Sequence, residues 1–110
     1  MGDFKMQELS VVALKLKIDA KESFVLLDVR EPFELEIAAI DGAINIPMNQ
    51  IAARITELDP DADTCVLCRS GGRSGSIAGF LLSQGFTNVK NVSGGILAWA
   101  TDVDTTVTQY

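Results

Sequence analysis

The stretch "VLCRSGGRSGSIAGFLL", residues 66–82, sets the frame for the rest of the chain. An apolar run delivers Cys68, two arginines and two adjacent glycines follow within five residues, and a helical apolar pattern begins. A buried strand that passes through a glycine-rich turn into a helix is the repeating unit of a parallel sheet. The same alternation recurs on both sides of this stretch. "SFVLLDV" (23–29) is a short apolar run ending in Asp28, "AINIP" (43–47) is a brief strand stopped by Pro47, "TCVLC" (64–68) is the next strand and "NVKNV" (88–92) the last. Leu9, Val12, Ala13 and Leu16 recur at i, i+3, i+4, i+7 and predict an amphipathic helix from about Met6 to Ile18. "EPFELEIAAI" opens with a proline and early acids suited to a first helical turn. "NQIAARITEL", the segment from about Arg73 ended by Gly85, and "GGILAWATDV" supply the remaining helices. The expectation is an α/β fold: a parallel sheet with helices on both faces.

Composition narrows the function classes. The 110 residues suit one domain, with a core over about 4–100 and a polar tail at 101–110 that reads as frayed. Fifteen acidic residues against nine basic ones give a net charge of −6, which opposes nucleic acid as a partner. No run is apolar and long enough for a bilayer, and the start "MGDFKMQELS" has no secretory pattern, so no membrane partner and a cytoplasmic location are expected. The chain has no histidine and two cysteines, Cys65 and Cys68. On a strand, residues three apart are about 10 Å apart and face opposite sides, too far for a disulfide. Neither a second Cys pair nor a histidine completes a zinc site, so no metal and no cofactor are expected. Cys65 reads as a packed strand residue.

Cys68 lies at the carboxyl end of a strand, where open α/β sheets bind their ligands. Gly71 and Gly72 allow positive φ and a bare loop, so successive amides can turn inward as an anion-binding nest. The following helix adds its free N–H groups, and Arg69 and Arg73 add two cations. Such surroundings favour a thiolate without a histidine base. They leave open sulfur transfer, phosphoryl transfer and arsenate-type reduction. Phosphatases of the cysteine type space the arginine as C-x5-R; here that position is Ser74 and the arginine gives C-x4-R, a shorter loop around a smaller anion.

Four separated motifs, "LLDVREPFELEIAAIDGAINIP", "VLCRSGGRS", "GF.NV.N" over 85–91 and "GGILAW", occur in the order seen in single-domain rhodaneses, which the chain resembles over about residues 4–100. The resemblance implies a rhodanese-like fold, a five-stranded parallel sheet with helices on both faces, with Cys68, Arg69, Ser70, Gly71, Gly72 and Arg73 as the active loop. It also implies a sulfurtransferase: Cys68 takes sulfane sulfur from a small donor such as thiosulfate or a protein persulfide, then passes it to cyanide, a thiol or a sulfur-carrier protein. The alternative is a non-catalytic rhodanese module that binds a protein partner. "AAIDGA" at 38–43 departs from the family's histidine-containing segment, and with "GGILAW…D…Y" it looks most like the C-terminal rhodanese domains of E1-like adenylyltransferases. In the family Asp28 and Arg30 look structural, with Asp28 accepting hydrogen bonds from loop amides or an arginine. Trp99 reads as packing for the last helix, Gly94 and Gly95 as a tight turn beside the loop, and Asp59, Asp61 and Asp63 as a solvated loop rather than a metal site.

Overall fold

The structure, a computed structural model, describes residues 6–110. Five parallel strands, β1 (Gln7–Leu9), β2 (Val25–Asp28), β3 (Ile44–Asn45), β4 (Thr64–Leu67) and β5 (Val89–Val92), form one sheet in the order β1-β5-β4-β2-β3. Helices α1 (Val11–Asp19), α2 (Pro32–Ile37), α3 (Ile51–Arg54), α4 (Gly72–Ser83) and α5 (Gly95–Asp102) fill the connections, with single 3-10 turns on either side of α3. All four residues of β4 are buried, as expected of a central strand covered on both faces. Period-two alternation divides the core into two layers. Leu26, Cys65, Leu67 and Val92 pack with Val11 and Leu14 of α1 and Ile96 and Trp99 of α5. Leu27, Val66, Cys68 and Val89 pack with Ile51 of α3 and Ile77, Ala78 and Leu81 of α4. The two cysteines therefore belong to opposite layers, and both are free thiols.

The N-terminal segment corrects the sequence reading. Residues 7–9 are the edge strand β1, and the helix starts only after Ser10, whose hydroxyl accepts the Ala13 amide at 3.0 Å. Its buried stripe is Val11 and Leu14, while Val12 and Leu16 are 53% and 64% exposed. "VVALKLKI" is apolar on more than one face, so two stripes fit the period, and packing against the sheet and α5 selects the one that carries Val11 and Leu14. The expected domain start near residue 4 lies outside the described residues. Gly72 also differs from expectation: only Gly71 has positive φ, at 107°, and Gly72 is the first residue of α4, ahead of the expected start at Arg73. Gly85 does end that helix, at φ 92°, with the Phe86 amide reaching back to Leu81 O.

Asp63 is not a solvated loop residue: it takes Lys17 at 2.7 Å and Lys90 at 2.8 Å, tying α1 to β5 at the amino end of β4. The tail is not frayed either, because Val107 and Tyr110 pack against the α1/α5 layer. Among the described residues no helix is long and apolar enough to cross a membrane, and no acidic or thiol cluster has metal-binding geometry.

Candidate active site

Cys68 follows the last residue of β4, and its sulfur sits on the floor of the turn formed by residues 68–73. The Gly71 amide donates to Sγ at 3.1 Å and Ser74 Oγ lies 3.2 Å away. Gly71 can aim its amide there because it adopts φ 107°, a region that strains any residue with a Cβ. From the other side, the first amides of α5 hold the loop: Ile96 N donates to Cys68 O at 3.0 Å and Leu97 N to Arg69 O at 3.1 Å. With these carbonyls turned toward α5, the amides of Ser70 and Gly71 face the sulfur. The tight turn expected at Gly94 and Gly95 is present, at φ 76° and 59°, and a Cβ on Gly95 would overlap the carbonyl oxygens of Cys68 and Arg69. The glycine pair of "GGILAW" thus serves the close approach of α5 to the loop.

The surroundings act on Cys68 in opposite directions. Burial raises its pKa, but the hydrogen bonds its anion can accept, from the Ser74 side chain and from the amides of Ser74, Gly71 and Ser70, outweigh that and hold the thiol below its ordinary value. Cys65, buried in the other layer and near Asp63, is pushed up to about 11, chiefly by burial. The thiol aimed into the loop is the one whose anion is stabilised.

A second network surrounds the loop. Asp28 and Arg30 are fully buried, with the Arg30 guanidinium on Asp28 Oδ2 at 2.7 Å and the Arg30 amide on Oδ1 at 3.1 Å. Asp28 therefore holds an arginine, and no loop amide is among its partners. Arg30 Nη1 donates to the Tyr110 hydroxyl at 2.8 Å, which in turn donates to Glu34 Oε1 at 2.9 Å. Glu34 also takes Arg73 in a two-pronged ion pair, both contacts at 2.8 Å. The Arg73 guanidinium pulls the Glu34 carboxyl down to about 2. Arg69 lies over the Tyr110 ring, 5.0 Å from its centroid. Both cations of the loop are thus held in place: Arg73 by α2, Arg69 by the C-terminal tail.

The structure gathers Cys68, Arg69, Ser70, Gly71, Gly72 and Arg73 in one turn and places the Asp28–Arg30 pair behind it. Four neighbours escaped the sequence reading: Ser74, Glu34, Tyr110 and Asn91. Ser74 is the third residue of α4, directly after the loop, and could have been found from that adjacency. Glu34, Tyr110 and Asn91 come from remote segments and carry no local signal. Beside the loop, Met48, Ile51, Ala52, Ile77 and Phe80 line an open groove of about 760 Å³ with Arg73 and Glu31 at its polar edge.

Residues 10–102 match the rhodanese-like domain family. A sulfurtransferase of Allochromatium vinosum is 36% identical over 86% of this chain and 89% of its own length. A thiosulfate sulfurtransferase of Pseudomonas putida is 37% identical over 76% of each. An adenylyltransferase and sulfurtransferase of Meyerozyma guilliermondii is 34% identical over 78% of this chain, which spans only 22% of that longer protein. Among solved structures, a rhodanese-related protein of Thermoplasma volcanium superposes with a TM-score of 0.80 at 33% identity, covering 88% of this chain and 93% of that one. The five parallel strands, the loop at the end of the central one and these likenesses agree: the chain belongs to the rhodanese-like domain family.

Proposed function

We propose that the protein is a sulfurtransferase that carries sulfane sulfur on Cys68. The observation that carries this reading is the Cys68 sulfur held by the Gly71 amide, with Ser74 beside it, at the start of α4. Relatives named sulfurtransferases and thiosulfate sulfurtransferase support it. With thiosulfate as donor, the Cys68 thiolate attacks the outer sulfur, the S–S bond of the donor breaks, and sulfite leaves with the bonding electrons. The product is a Cys68 persulfide anion, which the inward amides stabilise as they do the thiolate. An acceptor nucleophile, whether cyanide or a thiolate on a small molecule or a sulfur-carrier protein, then attacks the outer sulfur, and the persulfide S–S bond breaks to restore the Cys68 thiolate. Arg69 orients the anionic donor, while Arg73, paired with Glu34, acts mainly as a wall of the loop. The likeness to an adenylyltransferase and sulfurtransferase favours a carrier protein as acceptor. Two free thiols suit a reducing compartment such as the cytoplasm.

The test is intact mass after incubation of the reduced protein with thiosulfate. A gain of one sulfur, about 32 Da, that cyanide removes is the expected result. A folded protein that takes no sulfur from thiosulfate or from a protein persulfide would instead be a binding module.

A further inference from the structure

Asn91 is a polar residue on a buried strand, 5% exposed, on the face of β5 that packs against α4. A side-chain amide in that place costs stability unless all its groups are paired, so its partners reveal what it is for. Its Nδ2 lies 3.1 and 3.3 Å from the two Glu8 carboxylate oxygens and 3.2 Å from Gly71 O. All three are acceptors, so the amide can face only one way. The register of β1 on β5 sets Glu8 directly beside Asn91, and Ser93 Oγ fixes the Glu8 carboxylate at 2.7 Å.

The carbonyl end, Oδ1, then faces Ser74 Oγ at 2.5 Å. A carbonyl oxygen cannot donate, so the serine must. Ser74 has a single hydroxyl proton, and that proton is on Asn91. Toward Cys68, 3.2 Å away, Ser74 has only a lone pair to offer, which the sulfur can meet only as an S–H donor. The arrangement is therefore that of a neutral thiol. When Cys68 loses its proton to solvent, the Ser74 hydroxyl must rotate from Asn91 to the sulfur, and Asn91 Oδ1 is left without a donor in a buried place.

We propose that Asn91 is a positioning residue that competes with the Cys68 sulfur for the one Ser74 hydroxyl proton, with Glu8 holding Asn91 in the competing orientation. The Glu8–Asn91–Ser74 chain thereby restrains the sulfur as a thiol between turnovers and releases a donor to it when it becomes an anion. The role in turnover rests on the sulfur-transfer reading; the proton competition itself needs no sulfur donor. Other charged groups around the loop are Arg69 and Arg73 within it, Glu34 from α2, and the Asp28–Arg30 pair at the end of β2, and none of these is altered by substitution at 74 or 91.

The experiment titrates Cys68 by ultraviolet thiolate absorbance in a Cys65→Ser background, for the unaltered loop, Asn91→Leu, Ser74→Ala and the double variant. Asn91→Leu frees the serine proton for the sulfur and should shift the thiol–thiolate equilibrium toward thiolate about tenfold. In the Ser74→Ala background the same substitution should move it less than about twofold, because no proton remains to be released. Asn91→Ala carries the same expectation should Asn91→Leu not fold. An unchanged titration in the folded Asn91 variants, or an equal shift with and without the Ser74 hydroxyl, would overturn the proposal and make Asn91 a structural support for Gly71. Thiosulfate loading of the same proteins is a separate readout: absent loading with an intact cycle would count against sulfur transfer and leave the proton competition standing.

Discussion

Cys65 and Cys68 are the same residue type, three positions apart on one segment, and both are buried, yet their chemistry diverges. Cys65 lies within β4, where the backbone amides are committed to neighbouring strands, and burial among apolar groups near Asp63 pushes its thiol up to about 11. Cys68 lies one residue past the strand, where the ladder has ended and the amides of the turn are free to face a side chain. Its thiol moves the other way. Burial alone does not make a cysteine inert; the supply of uncommitted donors decides.

The comparison can be broken most directly by substitution. Cys68→Ser should abolish sulfur loading in the mass experiment, and Cys65→Ser should retain most of it. Loss of loading in folded Cys65→Ser would show that the two thiols act together. Next in size is alkylation near neutral pH. With Cys65 near 11 and Cys68 below its ordinary value of 9.0, the thiolate fractions differ at least about a hundredfold, so iodoacetamide should label Cys68 first by a similar factor in peptide mapping. Comparable rates would mean that the loop donors do not reach the sulfur.

Two glycines sharpen the contrast by testing what holds the loop. Gly95→Ala forces a side chain against the Cys68 and Arg69 carbonyls at positive φ and should cost about 2 kcal/mol or more in denaturant unfolding, with sulfur loading impaired. Gly72→Ala meets open space in a helical position and should be neutral or stabilising by up to about 1 kcal/mol. Equal effects would refute the assignment of α5 as the clamp on the loop.

The smallest effect is pH dependence through Glu34. Its folded pKa, about 2, lies below the ordinary 4.5, so its contribution is fully present above about pH 4.5 and is lost as pH falls toward 2. We expect roughly 1–2 kcal/mol, reduced from the full shift because the Arg73 side chain is 35% exposed. Glu34→Gln should flatten that part of the acid limb in pH-dependent unfolding. An unchanged acid limb would mean that the pair with Arg73 contributes little beyond placement.

β2 and β4 were legible because central parallel strands must be apolar on both faces, and "VLLD" and "TCVL" stand out against their flanks, whereas β3 was marked by Pro47 just after it and β5 by the valines that bracket Lys90 and Asn91. β1 was not, since "QEL" is three residues at an edge beside a longer helical pattern, and only pairing with Lys90, Asn91 and Val92 makes it a strand. The loop itself was legible because its residues are contiguous. Gly72 was misread because two adjacent glycines look alike until one of them takes the helical turn.

The alternation of strand and helix, the parallel sheet and the contiguous loop from Cys68 to Arg73 follow from local periodicity and from residues whose backbone freedom or charge is intrinsic. Packing of remote segments is what lets Tyr110 and Glu34 hold the two loop cations, α5 clamp the loop through Gly95, and Asn91 claim the Ser74 proton. These contacts join residues 17 to 80 positions apart. A side chain's donors and acceptors can be read from its type, but which partner exhausts them is settled only when the sheet brings the strands into register.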